Sequence, residues 1–103
     1  MPYYVYILYS ERTDKYYVGH TENYKARLWS HNNSKRTNYT SSFRPWIIAA
    51  CFEAGFERGD AIKIEKKLKD LKSKVRLKKI IDGDEFPDFL SPLIRISLNN
   101  EIE

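Results

Sequence analysis

Within its first 31 residues the sequence gathers side chains suited to handling phosphate. Tyr3-Tyr4-Val5-Tyr6-Ile7-Leu8-Tyr9 and Tyr16-Tyr17-Val18-Gly19 face each other across the polar stretch Ser10 to Lys15, and a helix-like segment follows from Thr21 to His31. Arg27 and His31 are four residues apart and so share one helix face. Aromatic hydroxyls, a guanidinium and an imidazole suit hydrolysis of a phosphodiester. Attack by water needs a proton acceptor, the pentacovalent transition state gathers negative charge, and the departing oxygen needs a positive partner. The sequence holds no Cys/His cluster, no glycine-rich phosphate loop and no supported Ser/His/Asp constellation.

A carboxylate enters from further along. Ala61, Ile64, Leu68 and Leu71 recur at three and four residues, as in an amphipathic helix. At about 100° per residue, Glu65 lies at the edge of that apolar stripe. A partly buried carboxylate is costly unless it is paired or bound to metal. Lys69, one turn on, offers a salt bridge. Position alone leaves the two readings open.

The elements that must carry these residues are legible in outline. Tyr, Val and Ile favour strands and Ser, Thr and Asp favour turns, so residues 3–9 and 16–19 read as a hairpin. Alternation puts Tyr4, Tyr6 and Leu8 on one face and Tyr3, Val5, Ile7 and Tyr9 on the other. Gly19 permits a turn conformation and close approach of a backbone or ligand. Thr21 or Asn23 can cap the helix that follows, with Tyr24 and Leu28 on its buried side. Residues 32–44 read as a polar loop with at most one helical turn. Trp46 to Phe52 is continuously apolar, as a buried strand would be. A second basic helix is expected over residues 73–81, ended by Gly83.

Composition narrows the class. The 103 residues, 42% hydrophobic and 31% charged, fit one globular domain. Cys51 is the one cysteine, so no internal disulfide can form, and its apolar setting reads as a buried, inert thiol. No apolar run approaches the roughly 20 residues of a membrane helix and no signal-like N-terminus is seen, so a cytoplasmic protein without membrane contact is expected. Net charge is +4, unevenly spread: nine Lys or Arg between Lys63 and Lys79 meet only Glu65 and Asp70, whereas residues 82–103 carry six acids and Arg95. A concentrated basic region suits a polyanion, because neutralising phosphates releases counterions. Lys25, Lys35, Arg36, Arg44, Lys74, Arg76 and Lys78 are the candidate nucleic-acid contacts.

Five blocks in order resemble one family. Val5-Tyr6-Ile7 and Tyr17-Val18-Gly19 look like the paired signature of the GIY-YIG nuclease superfamily. Gly19-His20-Thr21 leading to Arg27 and His31-Asn32, then Tyr39-Thr40 with Arg44-Pro45-Trp46, then Ala61 with Glu65-Lys66-Lys67, are similar to its later blocks. The resemblance covers roughly residues 3–81 and is nearest to the small single-domain bacterial members, similar to the N-terminal domain of the excision-repair nuclease C subunit. It implies an α+β fold, a small central antiparallel three-stranded sheet flanked by helices. Residues 1–82 would form the nuclease-like domain and residues 83–103 an acidic extension, docked on the domain or on a partner.

The resemblance also implies a metal-dependent endonuclease acting on DNA, in repair or processing. Tyr17 with Tyr6 would orient or deprotonate the attacking water, Arg27 would hold charge on the phosphate, and His31 would support them by hydrogen bonding or proton transfer. Glu65 would bind one divalent cation, with Mg²⁺ expected because it keeps several waters and takes few protein ligands. The sequence departs from the pattern at Tyr4, where the name-giving form has Gly, at Ile64, where many relatives have Arg, and at Arg76-Leu77-Lys78, where the long repair enzymes have a polar Asn. Weak or narrowly specific activity fits these departures. The alternative is a non-catalytic nucleic-acid-binding module of the same fold.

Overall fold

A computed structural model describes residues 1–36 and 38–98; the last five positions of the 83–103 extension lie outside the described residues. The two tyrosine-rich runs form β1 (Tyr4–Ser10) and β2 (Lys15–Thr21). They pair antiparallel, with Tyr6 opposite Gly19 and Leu8 opposite Tyr17. The apolar run forms β3 (Ile47–Glu53) on the other side of β1. Ile7 pairs with Ala50 but Leu8 with Ile48, so Ala49 is an extra, bulged residue.

Asn23 caps α1 (Tyr24–Asn33), its Oδ1 accepting from the Ala26 N–H at 3.0 Å. A 3₁₀ turn over Tyr39–Phe43 follows. After β3 in the chain come α2 (Arg58–Asp70) and α3 (Lys74–Asp82). Ser73 caps α3, and Gly83, in the left-handed region at φ 84°, ends it.

The sheet is covered on both faces, and that sorts the strand residues as alternation requires. Val5, Ile7, Val18, Ala50 and Phe52 pack with Ala61 and Leu68 of α2, Leu77 and Ile80 of α3, and Leu90. Tyr6, Leu8 and Cys51 pack on the opposite face with Trp46, Tyr24 and Leu28. Cys51 is fully buried, and burial pushes its thiol up to about 12, so it is not a nucleophile at neutral pH.

The architecture is α+β, with four strands among the described residues rather than the expected three. The order is β2-β1-β3-β4, where β4 is Ile94–Arg95, antiparallel to Phe52 and Glu53. Two residues are too few to show any alternation in sequence. Arg95 also donates to the carbonyls of Ile80 (3.1 Å) and Ile81 (2.7 Å), fastening β4 to the end of α3.

Candidate active site

Tyr6 projects from β1 toward α1 and is 1% exposed. Its ring lies against the backbone of Gly19: a Cβ built there would stand 2.5 Å from the Tyr6 hydroxyl oxygen and 2.7 Å from Cζ. Gly19 therefore serves close approach within strand β2 and not a turn. What approaches is a side chain of the same sheet.

The Tyr6 hydroxyl meets His31, and the direction of that hydrogen bond follows from its neighbours. The Ser41 N–H donates to Asn38 Oδ1 at 3.1 Å, which fixes that atom as an acceptor. The Thr40 hydroxyl donates to the same oxygen at 2.9 Å. With its proton spent, Thr40 Oγ1 accepts from His31 Nδ1–H at 3.0 Å. His31 Nε2 then carries a lone pair and accepts the Tyr6 O–H at 3.0 Å.

The protonation states agree with that direction. Burial, then the positive charges of Arg27 and Arg44, lowers the His31 imidazolium to about 4. Burial raises the Tyr6 phenol to about 12 even though the Arg27 guanidinium beside it pulls the other way. At neutral pH the pair is a neutral phenol donating to a neutral imidazole. Tyr17 completes the cluster, its ring centroid 5.0 Å from that of His31 and 6.5 Å from that of Tyr6.

Arg27 is exposed on α1, one turn before His31. The cap at Asn23 and the contacts of Tyr24 and Leu28 with the sheet set the rotation of this helix, and so turn His31 inward and Arg27 outward.

Glu65 comes from α2, which packs on the opposite face, and reaches the site round β2, the edge strand. Its side chain is 17% exposed, as its place at the edge of the apolar stripe requires. Lys69 Nζ donates to Oε2 at 2.6 Å and His20 Nδ1 lies 2.5 Å from Oε1. Burial alone would raise this carboxyl, but the hydrogen bonds from Lys69 and His20 outweigh it and hold Glu65 below the ordinary carboxylate range. Lys69 Nζ also sits 5.8 Å from the centre of the Tyr17 ring, which links the carboxylate to the tyrosine cluster.

The donor set decides what cation could sit here. Among the described residues no three His, Cys, Asp or Glu side chains cluster, so a site of several protein ligands is not formed. A carboxylate offers about four lone-pair positions. With Lys69 and His20 on one oxygen each, an ionised Glu65 can still take a hard cation that keeps most of its water. The one carboxylate here that could ligate such a divalent cation is Glu65.

The other expected contacts fall in two groups. Lys25, Lys35 and Arg36 are exposed, on α1 and in the loop after it. Arg44 is committed to α1, its Nε donating to the His31 carbonyl at 2.5 Å and Nη2 to the Ser34 carbonyl at 2.8 Å. On α3 the three expected contacts each have an acid: Lys74 with Asp14 at 3.0 Å, Arg76 with Glu85, and Lys78 with Asp82 at 2.8 Å. Arg76 and Lys78 belong to a helix that packs on the sheet face opposite Tyr6.

Sequence reasoning missed His20, Asn38 and the role of Thr40. His20 had a signal: on β2 it alternates with Val18 and so faces α2, the helix that bears Glu65. Asn38 had none beyond its place before a helical turn.

A family model described as the GIY-YIG catalytic domain matches residues 2–79. No curated protein matches the chain significantly.

Proposed function

The chain belongs to the GIY-YIG catalytic domain family, one of endonucleases that generally use divalent metal ions, and from that premise we propose that it is a metal-dependent endonuclease hydrolysing phosphodiester bonds in DNA, in repair or processing. The observation that carries this reading is the Tyr6 hydroxyl donating to a neutral His31 Nε2, with Arg27 beside it.

The magnitudes say when the proton moves. Burial holds the Tyr6 phenol up at about 12 and the His31 imidazolium down at about 4, so the proton rests on Tyr6. Tyr6 is therefore not ionised at rest. A phosphate held by Arg27 offsets the positive charge that depresses His31, and so makes Nε2 more basic when substrate is present. In this reading water is oriented by the Tyr6 and Tyr17 hydroxyls. As its oxygen attacks phosphorus, a water proton passes to the Tyr6 oxygen while the Tyr6 proton passes to His31 Nε2. The His31 Nδ1–H donated to Thr40, whose own hydroxyl donates to Asn38, holds the imidazole in the accepting tautomer.

Arg27 presents its planar fork to the non-bridging oxygens, where charge accumulates. Glu65 would hold the divalent cation, which would supply Lewis acidity at the phosphate. The pairing of both Glu65 oxygens favours a second reading, a nucleic-acid-binding module that does not cut.

Nicking of supercoiled DNA separates the two. Wild type is expected to nick with Mg²⁺ and not with chelator, and folded Glu65→Gln to lose the metal-dependent activity. Tight DNA binding by wild type with no cleavage in any divalent metal would select the binding module.

A further inference from the structure

We propose that the nucleic-acid backbone is held along α1 by three arginines, Arg58, Arg27 and Arg36, which line two adjoining cavities. This rests on the nuclease reading and names how that site grips its substrate. One cavity, of about 420 Å³, is bordered by Tyr3, His20, Asn23, Arg27, Ser30 and Arg58. The other, of about 240 Å³, is bordered by Arg27, Ser30, His31, Ser34, Arg36 and Asn38. They meet at Arg27 and Ser30. An open path thus runs from the residue capping the start of α1, past the catalytic face, to the residue capping its end.

The 10 residues of α1 span about 15 Å at 1.5 Å each. At roughly 3.4 Å per phosphate along the axis, one DNA strand presents about four phosphates over that length. Arg27 meets the one at the reacting centre, and Arg58 and Arg36 meet phosphates on either side of it.

These arginines line the path, whereas none of the lysines of α2 and α3 borders either cavity. Among the described residues, none of the three has a carboxylate in salt-bridge range, whereas Lys66, Lys69, Lys74, Arg76 and Lys78 all do. A cation already paired must break that pair before it can release a phosphate counterion, so the dense basic run of α2 and α3 contributes less than its count suggests. Arg58 is also held in place: its guanidinium stacks 5.3 Å from the Tyr3 ring centre, with Nε donating to the Tyr3 hydroxyl at 3.4 Å. Stacking orients the fork and leaves its terminal nitrogens for phosphate. Glu22 borders the same cavity and acts on the Arg58 charge, so it works against binding.

The test is the salt dependence of DNA binding by the full chain in chelator, read by fluorescence anisotropy on labelled duplex and single strands. Arg36→Ala and Arg58→Ala are each expected to weaken binding and to reduce the slope of log K against log salt, by about 0.9 on duplex or about 0.7 on single strands. Glu22→Gln is expected to tighten binding, and the double variant Arg76→Ala, Lys78→Ala to keep the wild-type slope. Should Arg58→Ala lose its thermal transition, Arg58→Gln, which keeps the stem over Tyr3, reads the same slope. A slope lowered by the α3 double variant and unmoved by the arginine variants would overturn the proposal while leaving a nuclease that still nicks DNA. Wild type that binds no polynucleotide at low salt would remove both the path and the nuclease reading.

Discussion

At the scale of single residues, Tyr6, Gly19 and His31 constrain one another tightly. Gly19→Ala places a methyl within 2.7 Å of two Tyr6 atoms, and it must move a side chain that is 1% exposed. Overpacking of this kind costs about 1–3 kcal/mol. Gly19→Ala should therefore unfold at lower urea and lose at least tenfold in cleavage, because the Tyr6 hydroxyl leaves His31; wild-type cleavage at lowered stability would separate the packing from the chemistry. His31 leaves a signature in stability against pH. Its folded pKa of about 4 lies below the ordinary 6.5, so between those values the unfolded chain takes up a proton that the native state refuses. Native stability thus falls as pH drops from 6.5 toward 4, by about 3 kcal/mol in all. Urea midpoints from pH 7 to 4.5, above the range where carboxylates contribute most, should show this slope in wild type. In His31→Asn the slope should flatten; an unchanged slope would mean that His31 is not held neutral.

At the scale of elements, much of the site was legible because strand alternation and helix spacing are local. Alternation on β1 separated Tyr6 from Val5 and Ile7. The four-residue spacing put Arg27 and His31 on one side of α1, where the fold buries His31 and leaves Arg27 exposed. The edge position of Glu65 was likewise readable from the period of α2. What could not be read depends on elements meeting across the sheet. His20 and Glu65 are 45 residues apart, and Lys74 finds Asp14 across 60. The dense cations of α3 looked unneutralised in sequence because Asp14 arrives from the β1–β2 turn and Glu85 from beyond the helix. β4 escaped because a two-residue pairing has no period. The helix that aims Arg27 and His31 depends on its cap, so Asn23→Ala is expected to cost about 1 kcal/mol in urea unfolding. It should lower cleavage more than DNA binding, since the turn that fixes Arg27 frays first; equal loss of both would point to global unfolding instead.

At the scale of the whole molecule, the sheet is a partition. One face carries the aromatic and imidazole cluster under α1, and the other is a largely apolar core packed against α2 and α3. Glu65 and Lys69 cross from the second to the first at the open edge of β2, beside Tyr17. A phosphate at that edge would find the tyrosines and Arg27 on one side and a carboxylate able to hold a cation on the other. Whether this arrangement cuts is decided most directly by nicking of supercoiled DNA in Mg²⁺ by wild type and Tyr6→Phe, with DNA binding measured in parallel in chelator. Tyr6→Phe keeps the ring against Gly19 and removes only the hydroxyl that donates to His31. Binding should be kept and cleavage should fall by at least about a hundredfold, the usual worth of a positioned acid–base group. Equal nicking by the two proteins would contradict this.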